Sequence, residues 1–540
     1  MGNQAYSIDT FYIGHKKAHF IQILSPSQNR QDEVYIRIKI LLMLLTNERH
    51  HSLEDVASSL RQENPPTPSI GQVKTALKQL NSKKATGSDG IPAWVLKRYC
   101  EELAPIVHGI ICASIKECEY PTAYKHALVI PVPKVNPPRD IENDFRQISI
   151  LPQMAKVLEK LQLKLNLPSS GINDNQHAFT SKRSTVSALT NISQNWFNVT
   201  DKTHSAKNGV HALFIDFRKA FDLVDHGILL RKLAEMNVTK AFWLWTRSFL
   251  EDRRQQVKLA GTLSSVKPCL AGVLQGSVMS PALFNIHIND IENSIPDGLS
   301  INICKYADDC TQDEVVSQGL SSHMQEALEA VEDWSNRNKM TINSKKTKDM
   351  WICFNTAIPA PEPLVIGNEV VERVNSHKLL GFWHQNNFKW NCHVKNIVTK
   401  ANKRMFSLRE CRRANLLPEV GITCFESKIR PVLEYAAPIW GGLPQYLIDE
   451  IESIQNRCIK ILGTSRCNFE TLEQRRAHLT VKEYQRILSD PTNPCNKLIP
   501  QPFTHEHDLR TTNNLPYVVS YTKRHWQSFI PRAISLLKQS

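Results

Sequence analysis

No Cys-x-x-Cys pair occurs among the 13 cysteines of this 540-residue chain, and none has zinc-knuckle spacing. Thiols scattered in this way are those of an ordinary reduced, intracellular protein and give no ground for a zinc site. Long apolar runs are missing too. The first twenty residues lack the apolar core of a signal peptide. The longest apolar patch, VYIRIKILLMLL, is broken by Arg37 and Lys39 and is too short to span a bilayer. Tyr6 stands where a myristoylation signal wants Ser or Thr. Secretion and membrane insertion are therefore not expected. There is no internal repeat, no low-complexity tract and no strong basic localisation cluster.

What is present is a globular composition. Hydrophobic residues make up 41% of the chain, enough for three or four cores at about 150 residues per domain. Lys plus Arg outnumber Asp plus Glu by 66 to 52, a formal +14, which favours a polyanionic partner such as nucleic acid. An anionic membrane surface is the competing reading of that charge.

Along the chain, QENPPTPS closes a first segment of residues 1–66, and SIGQVKTALKQL then shows helical spacing. NSKKATGSDGIP is a loop, and HALVIPVPK (126–134) is a short strand. The loop after it carries a basic residue at each end, Lys134 and Arg146. GVHALFIDF (209–217) is a buried strand, and the helix HGILLRKLAEM follows with Asp225 as its N-cap. A helix is expected from Ser280 through SPALFNIHINDIENSI, with Pro281 at its first position. LSINICKYADD and DMWICFN are further strands, flanking a helix over MQEALEAVEDWSNRN. The last third is helical: Val394 to Arg413 has one apolar face and a basic remainder, and YLIDEIESIQNRCIKILG ends at Gly463 as a C-cap. Strands and helices alternate without a strict β-α-β rhythm, so the class is α+β.

KYADDC (305–310) ends an apolar segment with two adjacent carboxylates. Such acids repel and are costly to dehydrate, and an Asp-Asp pair alone is most often a solvated turn. A further acid, Asp216, stands at the exposed end of another apolar strand, LFID. Antiparallel pairing of the two strands would gather three carboxylates, which cannot all remain ionised without cations. Hard, oxygen-binding Mg²⁺ suits such a site, and a pair of ions there serves in-line phosphoryl displacement. That chemistry is nucleotidyl transfer.

In chain order, KKATGSDGIP, VIPVPK, NDFRQISILP, QHAFTSKRSTVSAL, LFIDFRKAFDLVDH, GVLQGSVMSPALFNIHIND, KYADD, INSKKTK, HKLLGF and IRPVLEYAAPIW resemble motifs of one family. It is the reverse transcriptases of non-LTR (LINE-type) retrotransposons, most of all the jockey-related group. The resemblance implies a right-hand polymerase: an extension over 1–66, fingers over 67–205, a palm with an antiparallel sheet over 206–355, and a helical thumb and C-terminal region over 356–540. It implies an RNA-directed DNA polymerase that extends a DNA primer on an RNA template with deoxynucleoside triphosphates. Two Mg²⁺ ions, replaceable by Mn²⁺, would be ligated by Asp216 and Asp308, supported by Asp309 and the Phe217 carbonyl. Lys346 of INSKKTK would protonate departing pyrophosphate, with Lys345 beside it as the alternative. Lys134 and Arg146 would hold the triphosphate, Phe221 would exclude a 2′-hydroxyl, and Gln275 and Gly276 would lie against template and nascent base pair. Leu379 to Phe382 match the primer-holding turn, and the basic helix matches the thumb. Nucleus and cytoplasm are the expected compartments, on the resemblance only.

Two departures fall in the fingers. Arg146-Gln147-Ile148-Ser149 stands where the family usually has Arg-Pro-Ile-Ser, and Ala178 replaces a frequent glycine. No RNase H carboxylate set stands out, and 66 residues cannot contain the usual N-terminal endonuclease, so a truncated or fragmentary product is expected. The rival to an active polymerase is a decayed or co-opted product that binds nucleic acid without extending primers.

Overall fold

The computed structural model describes residues 6–13, 16–23, 51–141, 144–168, 171–201, 208–463, 469–501, 516 and 518–539. The patch VYIRIKILLMLL lies outside the described residues. The described chain mixes sheets with many helices and divides into two compact units, each assembled from separate segments. One comprises 1–172, 219–289 and 338–340; the other comprises 173–218, 290–337 and 341–540. Among the described residues no helix is long and apolar enough to cross a membrane.

In the first unit, the strand His126–Pro133 pairs antiparallel with Phe145–Ile150 and parallel with Arg254–Leu259. Helix Ile70–Lys78 starts at a capping box in which Ser69 and Gln72 satisfy each other's backbone N–H groups. Asp225 caps His226–Glu235 as expected, its Oδ1 accepting from the Ile228 N–H at 2.9 Å. Phe242, Trp243, Trp245 and Phe249 are fully buried along Lys240–Leu250.

The helix expected from Ser280 runs instead over Met279–His287, and Ile291–Ser294 is a separate 3-10 turn. Pro281 is thus its third residue, still within the first turn, where no intrahelical partner needs its missing N–H. The cap residue Val278 has no side-chain acceptor. Glu159, fully buried on the helix Gln153–Asn166, takes over that task. Its Oε2 accepts from Ser277 Oγ at 2.8 Å and from the N–H groups of Val278 at 2.7 Å and Met279 at 3.2 Å. Oε1 accepts from the Tyr120 hydroxyl at 2.9 Å. A carboxylate at a helix N-terminus is stabilised by the macrodipole as well as by these bonds.

In the second unit a five-stranded sheet runs in the order Glu372–Arg373, Lys348–Ile352, Gly209–Ile215, Asp309–Val316, Ile301–Tyr306. All neighbours are antiparallel except the first pair. This corrects the expected pairing. The strand that leads into Asp308 lies at the sheet edge, and the one that follows Asp309 lies beside Gly209–Ile215. Helix Met324–Arg337 matches its expected span, and Asn391–Arg413 buries the apolar stripe Val394, Ile397, Val398, Ala401, Met405 and Leu408. Gln445–Leu462 ends at Gly463, whose φ of +66° is the left-handed C-cap.

Removing the Glu159 carboxylate would strand two hydroxyls and the Val278 N–H in a dry interior, while the Met279 N–H would keep Ser277 Oγ at 3.0 Å. Glu159→Ala is expected to lower the unfolding free energy by about 3 kcal/mol. A urea midpoint that does not move would show that this carboxylate is not the helix cap.

Candidate active site

Gly209–Ile215 is buried at every position, a central strand that ends where Asp216 reaches partial exposure. Its partner strand is registered Cys310 to Ile215 and Thr311 to Phe214. One step further, the same register sets Asp309 opposite Asp216. Directly opposed residues of an antiparallel pair share a face, so the two carboxylates emerge together.

Asp308 is delivered by the hairpin itself. Tyr306 pairs with Asp309, leaving Ala307 and Asp308 as a two-residue turn. Ala307 adopts φ +56°, a left-handed conformation costing an alanine about 1 kcal/mol. Gln176 holds it there. This glutamine is 1% exposed, and its Oε1 accepts from the Ala307 N–H at 3.0 Å and the Ala178 N–H at 2.9 Å. The surrounding backbone is stitched to Lys305 on both sides, by His177 N–H to Lys305 O at 2.9 Å and Lys305 N–H to Asn175 O at 2.8 Å. Lys305 is itself fully buried, its Nζ 2.5 Å from Glu292 Oε2. Gln176 stands within the motif QHAFTSKRSTVSAL, but nothing local in the sequence marks its task. Its signal is the turn that Asp308 needs, visible only once the hairpin is known.

The three acids feel one another. Burial, then the Asp308 and Asp216 charges, push the Asp309 carboxyl up to about 6. Lys346 Nζ stands 3.8 Å from Asp216 Oδ2. Asp216, Asp309 and Lys346 line a cleft of about 370 Å³ with Lys345, Lys348, Lys378 and Leu380. The Phe217 carbonyl is also free of its sheet neighbour. Asn343 N–H bonds to Asp216 O at 2.7 Å and Arg218 N–H to Thr341 O at 2.8 Å, bracketing Phe217 opposite Ile342. Phe217's own N–H and C=O therefore point the other way.

Mutually repelling carboxylates and a backbone carbonyl are the hard oxygen donors that a divalent cation takes. In chemistry, then, the set fits Mg²⁺. Among the described residues, however, no three His, Cys, Asp or Glu groups stand at metal-ligating spacing, so the acids are gathered without being closed round an ion.

The cleft also reaches the turn at Leu380. Ser376–Leu379 and Phe382–Gln385 form a hairpin whose two loop residues, Leu380 and Gly381, have φ +47° and +85°. Both being positive marks a type I′ turn. The Tyr435 hydroxyl donates to Leu380 O at 2.6 Å and fixes it.

The remaining candidates lie in the first unit. Lys134 and Arg146 are exposed at the loop end of one hairpin, where Val132 pairs with Arg146 and the Lys134 N–H bonds to Asp144 O at 2.6 Å. Phe221 stacks on Phe284 with centroids 4.2 Å apart and planes 13° apart, leaving it half-buried. Gln275 donates from Nε2 to Asp222 Oδ1 at 3.2 Å, and its carbonyl accepts from the Ser149 N–H at 2.7 Å. Gly276 has φ +136°, and a Cβ there would sit 2.1 Å from Ser149 O, so no other residue fits.

Asp309 ionises later in the folded chain than in the unfolded one. Its protonated form therefore favours the folded state; that contribution is whole below the ordinary carboxylate range and is lost as pH rises through about 6. Without divalent cations, Asp309→Asn should stabilise the protein at pH 8 by no more than about 1 kcal/mol, since solvent screens the side chain. At pH 3 it should have no effect. Thermal unfolding at both values checks this, and an equal change at each would remove the repulsion from the account.

Residues 132–390 match the family model described as reverse transcriptase (RNA-dependent DNA polymerase). The chain is 23% identical over 479 residues to a probable RNA-directed DNA polymerase from transposon BS of Drosophila melanogaster, covering 84% of this chain and 52% of that protein. To the X-element counterpart of the same species it is 26% identical, covering 76% and 45%. To the RNA-directed DNA polymerase from mobile element jockey it is 25% identical, covering 72% and 43%. The chain thus spans about half the length of the curated relatives it matches. Residues 132–390, which hold the acidic hairpin, the Asp216 strand and the Leu380 turn, are thus the stretch similar to reverse transcriptases, and the chain resembles the RNA-directed DNA polymerases of jockey-like mobile elements.

Proposed function

We propose that the chain is an RNA-directed DNA polymerase, extending a DNA primer on an RNA template with deoxynucleoside triphosphates. The observation that carries this is the convergence of Asp216, Asp308 and Asp309 beside a lysine-lined cleft. The right-hand division belongs to the same reading: fingers over 67–205, palm over 206–355, and thumb with C-terminal region over 356–540. Asp216 and Asp308, with the Phe217 carbonyl, are the ligands of two Mg²⁺ ions, and Asp309 supports them. Bound there, the ions supply Lewis acidity to the attacking hydroxyl and the leaving oxygen.

The protein's own groups do the rest. Lys346, an exposed ammonium already drawn to Asp216, is the proton donor to departing pyrophosphate. Lys134 and Arg146 grip the triphosphate, with Arg offering a fork of donors and Lys a point charge. Phe221, stacked on Phe284, is the ring beneath the sugar that leaves no room for a 2′-hydroxyl. Gln275 and Gly276 set the floor for the nascent base pair. The basic side of Asn391–Arg413 binds duplex through counter-ion release. Nuclear or cytoplasmic work follows from this role.

In primer extension on an RNA template with Mg²⁺, Asp308→Asn is expected to lose at least about 100-fold in rate. Wild type extending no better than the variant would sink the polymerase reading and leave nucleic-acid binding in its place. Gln176→Leu frees Ala307 from its only side-chain anchor in the described structure. It should cut kcat roughly 10- to 100-fold while leaving KM for the nucleotide nearly unchanged. A loss confined to KM would assign Gln176 to substrate contact instead of hairpin placement.

A further inference from the structure

Far along the chain from the acidic hairpin, the second unit holds two arginines, Arg476 buried and Arg532 half-buried, with no acid in ion-pair contact among the described residues; the Glu452, Glu473 and Glu434 carboxylates favour the Arg476 charge only from a distance. Arg476 on the helix Leu472–Leu488 is 1% exposed, and none of its three guanidinium nitrogens has a hydrogen-bond partner among the described residues. Arg532 on Phe529–Gln539 leaves Nε and Nη1 equally unpartnered. The two belong to one cluster. Arg532 Nη2 donates to the Thr480 hydroxyl, which donates in turn to Arg476 O at 2.7 Å. One turn further, Tyr484 is fully buried with its hydroxyl unpartnered.

Burial, and then the Arg476 charge, push the Arg532 guanidinium down to about 9. Partial relief comes from Trp440, whose ring centre lies 5.5 Å from the Arg476 guanidinium carbon. The fold also makes room for this charge. Gly441 has φ −67°, which any residue adopts, yet a Cβ there would fall 1.7 Å from Arg532 Nη1. The glycine leaves space for the guanidinium, and a larger residue there would require the end of the Arg532 side chain to shift. An isolated buried cation is strongly disfavoured unless an anion meets it. Every unpartnered group in this cluster is an N–H or O–H donor, so the missing partner is an acceptor-rich anion.

We propose that Arg476 and Arg532 form a binding site for a phosphate-class oxyanion. Two guanidinium forks offer the paired donors that phosphate oxygens take. The ion enters by local opening of Phe529–Gln539, an eleven-residue helix. The anion is free phosphate or the phosphate of a nucleic-acid strand, and both share this chemistry.

Thermal unfolding of the full chain in inorganic phosphate against chloride, at constant ionic strength, tests the site. The wild-type midpoint should rise by several degrees with phosphate, because a ligand of the folded state stabilises it by mass action. Arg476→Met and Arg532→Met should each abolish that rise. In chloride alone they should melt at or above wild type, since each removes a charge that no acid contacts. A midpoint of wild type that ignores phosphate overturns the proposal even if neither variant folds. So does a response that persists in both variants, which would place the anion on other basic residues. Adding a short single-stranded DNA separates the sources. If it erases the phosphate-dependent rise, the strand's phosphate is the occupant; if the rise is unchanged, the occupant is the free ion.

Discussion

The register between Gly209–Ile215 and Asp309–Val316 is the constraint on which the site depends. Cys310 faces Ile215, and every pair from there to Val316 and Gly209 follows. A slip of one residue would turn the whole strand over and send Asp309 to the opposite face from Asp216. The hairpin fixes that register at its source. A two-residue turn allows no slack, Ala307 is held in a left-handed conformation, and Gln176 bonds its N–H from within the buried interior. The position of two carboxylates is therefore set by a side-chain amide 131 positions upstream of Ala307.

Gathering acids in this way costs stability, and the structure shows where the cost is contained. Asp309 is pushed up to about 6 by burial and by its two neighbours, and Lys346 supplies only a distant positive charge at 3.8 Å. The sheet beneath is held by bonds of a different kind. His211, fully buried, joins Ser322 Oγ at 2.7 Å and Asp349 Oδ1 at 2.9 Å, and Arg373 Nε donates to Asp349 Oδ2 at 2.7 Å. These cross-strand polar links are satisfied, so they make the sheet stiff enough to tolerate repulsion at its end. Function and stability pull apart at the three acids, and the neighbouring network absorbs the difference.

Much of this could be read from the sequence because it is periodic or local. The apolar stripe of Asn391–Arg413, the Asp225 cap, the Gly463 stop and the strand through LFID all follow from spacing and cap chemistry. Asp309–Val316 did not, and the reason is its composition. DCTQDEVV carries Asp, Gln, Asp and Glu yet is almost wholly buried. Asp313 is met by Asn302 Nδ2 at 3.1 Å, and Glu314 by the His323 N–H at 2.9 Å. A central strand whose polar groups find distant partners has no hydrophobic signature, so its place beside LFID was assigned to the strand before it. Glu159 was silent for the same reason. Its four partners come from Tyr120 and residues 277–279, and nothing local announces them.

The Gln147 departure from the family pattern can be judged on the backbone alone. Phe145–Ile150 is an edge strand, paired only with His126–Pro133. The Ser149 N–H turns away from that partner to bond Gln275 O at 2.7 Å. Alternate residues of a strand send their N–H groups to the same side, so residue 147 also directs its N–H away from the ladder. A proline there forfeits no sheet bond, and a glutamine gains none. The exchange alters chain stiffness before folding more than it alters the folded hairpin, and Arg146 keeps its register against Val132 either way. Gly276 shows the opposite case. It lies against the same Ser149 backbone, and there a single added methyl would collide with the carbonyl. Of two neighbouring motif positions, one is therefore free to drift while the other is bound by contact distance.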